Sequence, residues 1–178
     1  MSKFRIFYDY ECPFCKRGFE ELMDLLPAFP EMEIEWRPIE AHPRPEESRP
    51  HTDLCVQAYY AAAELGAEMD SFHRAMFQGV AIERRDVEKA EVLAELLKGI
   101  VERAKFLEIL KSGKYASSPG ENNDLAYEKN EVWYLPAFRY ISGKKSEPVP
   151  RLDAKGGSGV SREEIKAFLE WCQAPFLP

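Results

Sequence analysis

Cys12-Pro13-Phe14-Cys15 lies between a strand-like run and a helix-like run, and this placement constrains the fold more than any other feature of the chain. Residues 4–8, Phe-Arg-Ile-Phe-Tyr, are rich in aromatic and β-branched side chains and too short for a lone helix, which predicts a buried strand. Residues 13–26 then place Phe14, Phe19, Leu22, Met23, Leu25 and Leu26 at helical spacing, up to Pro27, which cannot continue a helix. From Met32 to Ile39 the pattern alternates, with Ile34 and Trp36 set between Glu33, Glu35 and Arg37, which predicts a second strand. Strand, helix and strand at this spacing make a βαβ unit, with parallel strands and a right-handed crossover.

Beyond residue 40 the text changes. Residues 40–51 hold three prolines, His42, His51 and several charges, and read as a connection. Four amphipathic helical segments follow. Thr52 or Asp53 is placed to cap the first, which runs to about Leu65 before Gly66. Asp70 and Asp86 are placed to cap the second and third, and the fourth stops near Gly113. Residues 114–123 are polar, with Pro119 and Gly120, and a short helix is expected from Asn123 to Asn130. Ala137 to Ile141 reads as a strand, Ser142-Gly143-Lys144-Lys145 as a hairpin turn, and Pro148 to Leu152 as a returning edge strand. Ser161-Arg162-Glu163-Glu164 fits a capping box for a last helix with Ile165, Phe168, Leu169 and Cys172 on one stripe.

The order is therefore βαβ, a helical block, then ββα. The outer pieces resemble an α/β thioredoxin-like fold, built from residues 1–40 and 114–178, with residues 41–113 as an inserted α-helical subdomain. A generic α/β domain with a helical excursion is the other arrangement the pattern allows. The charge of -7 argues against a protein that grips nucleic-acid backbones. No apolar run approaches the roughly 20 residues of a membrane span. Met1-Ser2-Lys3-Phe4-Arg5 leads into the first strand with no signal-peptide core, so a cytoplasmic location is expected, or a periplasmic one if a native N-terminus has been removed.

Of four cysteines, Cys12 and Cys15 are three apart, while Cys55 and Cys172 are distant from them and from each other. Unpaired N–H groups and the positive dipole end of a helix N-terminus favour a thiolate at Cys12. A thiolate is the nucleophile of disulfide exchange. Pro13 costs no hydrogen bond at a first helical turn. Cys15, one turn inside, is placed to resolve a mixed disulfide on Cys12. A zinc site is the competing use of such a pair, but the histidines and remaining cysteines lack paired ligand spacing, so no metal is expected. Leu135-Pro136 precedes the third strand, where thioredoxin folds place a cis-proline beside the dithiol and pair an extended substrate with the preceding residue. A trans-proline opening an edge strand remains the alternative.

The run Phe7-Tyr8-Asp9-Tyr10-Glu11-Cys12-Pro13-Phe14-Cys15, the helical block and Leu135-Pro136-Ala137-Phe138 resemble the DsbA-like thiol–disulfide oxidoreductases, in the branch that includes the FrnE-type proteins. The resemblance implies a protein-disulfide oxidoreductase. Cys12 is then the nucleophilic cysteine, Cys15 the buried one, Pro136 the cis-proline and Leu135 the substrate-pairing residue, with Pro13 and Phe14 at the substrate. It implies a helical block that covers the sheet and frames a groove near the thiols. It implies no organic cofactor, and partners that are protein or small-molecule thiols and disulfides; the oligomeric state stays open. Two departures matter. Strongly oxidising members carry a histidine inside the motif, where this chain has Phe14, so a couple in the reducing half of the range from about -120 to -270 mV is expected. Leu135 is bulkier than the small or β-branched residue usual before the cis-proline.

Asp9 and Glu11 are the acidic residues nearest in sequence to Cys12, and either carboxylate is a candidate to take the proton Cys15 must lose; a solvated strand-end carboxylate is the plainer reading. Lys16 and Arg17 are candidates to stabilise a thiolate, or an exposed helix face. Cys172, and with less support Cys55, read as core thiols. Tyr8, Tyr10, Phe14, Trp133 and Tyr134 are candidates for an aromatic rim, with core packing the alternative for Tyr8. Two other functions fit the pattern: a glutathione-dependent transferase or isomerase of the kappa or hydroxychromene-carboxylate type, which needs no resolving cysteine, and a non-catalytic peptide-binding, chaperone-like domain.

Overall fold

The computed structural model describes residues 2–47, 50–142 and 151–173. Strands β1 (Ser2–Tyr8), β2 (Met32–Pro38), β3 (Ala137–Ser142) and β4 (Arg151–Asp153) form one sheet in the order β2-β1-β3-β4. β3 runs antiparallel to β1, pairing Tyr140 with Phe4 and Phe138 with Ile6, and β4 runs antiparallel to β3, pairing Leu152 with Phe138. Residues 143–150, where the hairpin turn and the start of the returning strand were expected, lie outside the described residues. β1 is buried on both faces from Ile6 to Tyr8, as a strand with neighbours on either side and cover on both faces must be.

The chain groups into two compact units. One comprises the described residues of 1–8, 14–37 and 126–178 and carries the sheet with helices α1 (Pro13–Leu25), from its second residue, and α7 (Arg162–Gln173). Its centre is an aromatic triad: Phe4 stacks on Phe138 with ring centroids 6.0 Å apart, and Phe168 meets each of them at 5.6 Å. α7 buries Ile165, Phe168, Leu169 and Cys172, the stripe its sequence predicts. The capping box closes its start, the Glu164 N–H donating to Ser161 Oγ at 3.2 Å and the Ser161 N–H to Glu164 Oε2 at 2.9 Å.

The other unit comprises residues 9–13 and the described residues of 38–125. It holds α2 (Asp53–Glu64), α3 (Met69–Phe77), α4 (Ala90–Leu96), α5 (Arg103–Ser112) and α6 (Ser118–Asn123). Phe72, Met76, Phe77, Leu93, Leu97 and Phe106 form its core. The helices follow the predicted segments, but the starts of α3 and α4 do not. Glu68, not Asp70, caps α3, accepting the Asp70 and Ser71 N–H groups at 3.1 and 2.7 Å; a glutamate side chain reaches back over a first turn as an aspartate side chain does at closer range. α4 begins at Ala90, and Asp86 lies in the turn ahead of it, where its carbonyl accepts the Lys89 N–H at 3.3 Å. Within the polar stretch before Asn123, Pro119 sits in the first turn of α6, where its missing N–H leaves no bond unmade, and the short helix expected from Asn123 to Asn130 is present, continuing from α6 as a π-helix over Asp124–Glu128. Among the described residues no helix is long and apolar enough to cross a membrane.

The triad makes one stability expectation specific. Phe138→Ala empties a site that is 0 % exposed and leaves Phe4 and Phe168 without their shared neighbour, so urea unfolding should show a loss of about 3–5 kcal/mol. A loss below about 1 kcal/mol would mean that the triad is not the centre of this core.

Candidate active site

β1 ends at Tyr8 and α1 starts at Pro13, so residues 9–12 form the turn between strand and helix. Cys12 is the residue before the helix and is half-buried; Cys15 lies in its first turn and is 0 % exposed. The two approach to 3.3 Å along this turn as thiols, not as a disulfide. α1 has thirteen residues and no acidic side chain in its first turn, so nothing there offsets the positive end of its dipole. Pro13 is exposed and Phe14 half-buried, and the ring of Phe14 is covered by the Arg17 guanidinium at 5.6 Å.

Leu135-Pro136, directly before β3, is a cis peptide, the form that the resemblance implied and not the trans-proline of the alternative reading. Pro136 is buried and Leu135 half-buried. The Pro136 ring lies against α1 at Gly18, where a Cβ would stand 3.0 Å from Pro136 Cγ and 3.3 Å from Val160 Cγ2. Gly18 therefore allows the close approach of the proline to the helix that carries Cys15. The loop at 155–159 approaches the same helix: Gly159 leaves room for Phe14, whose Cβ would lie 2.9 Å from an added methyl, and Arg17 donates to the Ser158 carbonyl.

Asp9 is the feature that sequence reasoning valued least correctly. It is not a solvated strand-end carboxylate but is 0 % exposed. Its Oδ2 accepts the Ala41 N–H at 2.6 Å and the Thr52 hydroxyl at 3.0 Å, and its Oδ1 accepts the Glu11 N–H at 3.2 Å. Its backbone carbonyl accepts the Cys12 N–H at 3.2 Å. Burial pushes its carboxyl up to about 7 against the pull of these donors, with the Glu11 charge adding to the rise. Thr52, at the N-cap position of α2, gives that helix no side-chain bond; its hydroxyl goes to Asp9 instead. Glu11 is raised by burial and drawn back by His42 and His51, with His42 Nε2 3.9 Å from Glu11 Oε1. His42 is raised in turn, first by its bond to Glu46 at 3.0 Å. The hydroxyl of Tyr10 meets His73 Nδ1 at 2.9 Å, and burial lowers His73 to about 3, which keeps its ring neutral.

The remaining candidates separate. Tyr8 and Tyr10 are core residues, each 1 % exposed, while Trp133 and Tyr134 are 76 % and 56 % exposed. Lys16 is paired with Glu20. Cys172 is buried on the α7 stripe, and Cys55 is buried in α2 with its thiol pushed well above the ordinary range, first by burial and then by Asp9, Asp53, Glu11 and Glu40. Thr52 and Ala41 were missed because nothing in their own sequence context marks them as partners of a residue more than thirty positions away. The one available signal was an aspartate directly after an apolar strand, which asks for donors if buried.

The family profile described as DSBA-like thioredoxin domain matches residues 4–131. No curated protein sequence matches. Among solved structures, a protein from Streptomyces coelicolor described as a probable DsbA oxidoreductase superposes with a TM-score of 0.74 at 15% identity, covering 100% of this chain and 93% of its own. The cytosolic disulfide reductase DsbM from Pseudomonas aeruginosa gives 0.69 at 15% identity over 95% and 97% of the two chains. BdbD from Bacillus subtilis gives 0.69 at 18% identity over 96% and 86%. At these identities the structures are alike in fold.

Asp9 also sets a pH dependence. Its folded-state value of about 7 exceeds the ordinary 3.8, so between these values only the folded chain holds the proton. Stability from this group is complete below about 4, falls as pH rises and is lost above about 7. Relative to Asp9→Asn, the wild type should therefore lose about 2–3 kcal/mol of unfolding free energy between pH 5 and pH 8 in urea titrations. A constant difference between the two proteins would show that Asp9 keeps an ordinary carboxyl.

Proposed function

The chain belongs to the DSBA-like thioredoxin-domain family, and from that premise we propose that it is a thiol–disulfide oxidoreductase working through Cys12-Pro13-Phe14-Cys15. One observation carries the reading: a reachable Cys12 stands at the N-terminus of α1, 3.3 Å from a buried Cys15 in the same turn. Such a pair differs in access and so in role. The accessible thiol meets the substrate, and the buried one meets only its neighbour.

In the reducing direction, Cys12 as thiolate attacks one sulfur of a substrate disulfide. That S–S bond breaks, the departing substrate sulfur leaves as thiolate, and a mixed disulfide forms on Cys12. Cys15 then loses its proton and attacks the Cys12 sulfur. The second substrate sulfur leaves, and two electrons have passed from the dithiol to the substrate as the Cys12–Cys15 disulfide forms. The oxidising direction is the same sequence reversed. Phe14 supplies no charge inside the motif, in support of a couple toward the reducing half of the known range, and a cytoplasmic setting accords with that direction. Leu135, Pro136, Pro13 and Phe14 are the residues we assign to substrate contact, and residues 41–113 to an inserted helical subdomain. Protein or small-molecule disulfides are the substrate class.

Cys15→Ala tests the division of roles. The variant should accumulate a mixed disulfide through Cys12 when mixed with an oxidised peptide, while disulfide turnover falls by at least about 100-fold. Alkylation of wild-type Cys12 no faster than that of an unstructured cysteine peptide, with no mixed disulfide trapped, would overturn the assignment.

A further inference from the structure

The turn that presents Cys12 is held at both ends by one residue. The Asp9 carbonyl accepts the Cys12 N–H, and the Asp9 carboxyl accepts the Glu11 N–H of the same turn. The carboxyl is also fastened away from the turn, by the Ala41 N–H and the Thr52 hydroxyl. These three partners differ in kind. The two amides only donate, so they suit the carboxylate; a hydroxyl donates to a carboxylate and accepts from a carboxylic acid. Thr52 is the member of the set that serves both protonation states. It does so from the N-cap position of α2, whose N–H groups receive no bond from it, although a threonine there ordinarily caps and stabilises a helix. An amide in place of the carboxyl would satisfy one side only. Whichever way Asn turned its NH2, that group would face the Glu11 N–H or the Ala41 N–H, donor against donor.

We propose that Asp9 and Thr52 form a positioning pair for Cys12: the carboxyl fixes the turn that carries the thiol, and the Thr52 hydroxyl reverses its bond so that the carboxyl gains or loses a proton without releasing the turn. The proposal rests on Cys12 being the reacting thiol. Its consequence is that Cys12 reacts on the same turn as a group of two charges. A neutral Asp9 leaves the thiolate undisturbed, and an ionised one disfavours it. The carboxyl lies in the range where this change happens near neutral pH. Among the described residues, the charged and titratable groups that face this carboxyl are Glu11 on its own turn, His42 on the connection and Cys55 on α2. Glu11 in turn faces His42, His51 and Glu46. Of these His42 is the histidine that Asp9 itself acts on, raised first by its bond to Glu46, so it is the group to separate from Asp9.

The test is the rate of carbamidomethylation of Cys12 in the reduced full-length protein from pH 5 to pH 10, with the modified residue identified by peptide mass. The wild type should show two inflections, one from the thiol and a lower one from Asp9. Thr52→Val should move the lower inflection upward by about half a pH unit or more, because both protonation states lose a partner and the bond to the charged carboxylate is the stronger one lost, and Thr52→Ser should restore it. Asp9→Asn should abolish it. A single inflection in the wild type overturns the proposal, as does a lower inflection that ignores Thr52→Val and disappears in His42→Gln. If Asp9→Asn does not fold, the wild type, Thr52→Val and Thr52→Ser decide the matter. A Thr52→Val that only lowers the melting temperature and leaves the profile unmoved shows a purely structural bond and overturns the proposal too. The two readings fail separately: a Cys12 no more reactive than an unstructured thiol at any pH removes the oxidoreductase reading, whereas a reactive Cys12 with an unaltered profile removes only the pairing of Asp9 with Thr52.

Discussion

Ending a strand and starting a helix within four residues leaves backbone groups at the junction that must be bonded, and in this protein the same junction carries the reactive thiol. β1 stops at Tyr8 and α1 starts at Pro13. Between them the chain turns back on itself, with the Cys12 N–H on the Asp9 carbonyl and the Glu11 N–H on the Asp9 carboxyl. Everything chemical about the site follows from this turn. It sets Cys12 at the N-terminus of α1, where the helix N–H groups favour negative charge, and it brings Cys15 within reach one turn later.

The turn is held by groups on the connection and at the N-cap of α2, the Ala41 N–H and the Thr52 hydroxyl, and by Tyr10, whose ring packs against Phe72, Phe77 and His73. Residues 9–13 thus group with the helices by contact, although β1 leads into them. A buried carboxyl is costly unless its oxygens are bonded, and three donors meet those of Asp9. The donors do not fully offset burial, which is why the group titrates near neutrality instead of remaining ionised. Along α1 itself, Gly18 admits the Pro136 ring and Gly159 admits Phe14, two close approaches that any side chain at either glycine would disturb.

What the sequence reveals of this arrangement divides by range. Signals confined to a few residues read through correctly: the aromatic run of β1, the stop at Pro27, the reciprocal capping box of Ser161 and Glu164, and the stripe of α7. Local signals with two meanings were resolved only by the structure. Pro119 breaks a helix in its interior and opens one in its first turn, and here it opens α6. Thr52 had every local reason to cap α2 and bonds Asp9 instead. The burial of Asp9 could not be read at all, since it depends on Ala41 and Thr52, more than thirty residues along the chain. Aromatic residues were likewise ambiguous without depth: Tyr10 is in the core and Trp133 is outside it.

The central claim is that Cys12 and Cys15 form one two-electron couple. Equilibration of the protein with glutathione buffers of graded ratio, followed by acid quenching, alkylation and peptide mapping, tests it most directly. The account predicts a single cooperative transition between dithiol and a Cys12–Cys15 disulfide, at a potential in the reducing half of the range from about -120 to -270 mV, with Cys55 and Cys172 remaining thiols throughout. A protein that forms no Cys12–Cys15 disulfide at any ratio, or that pairs Cys12 with Cys55 or Cys172, would contradict it.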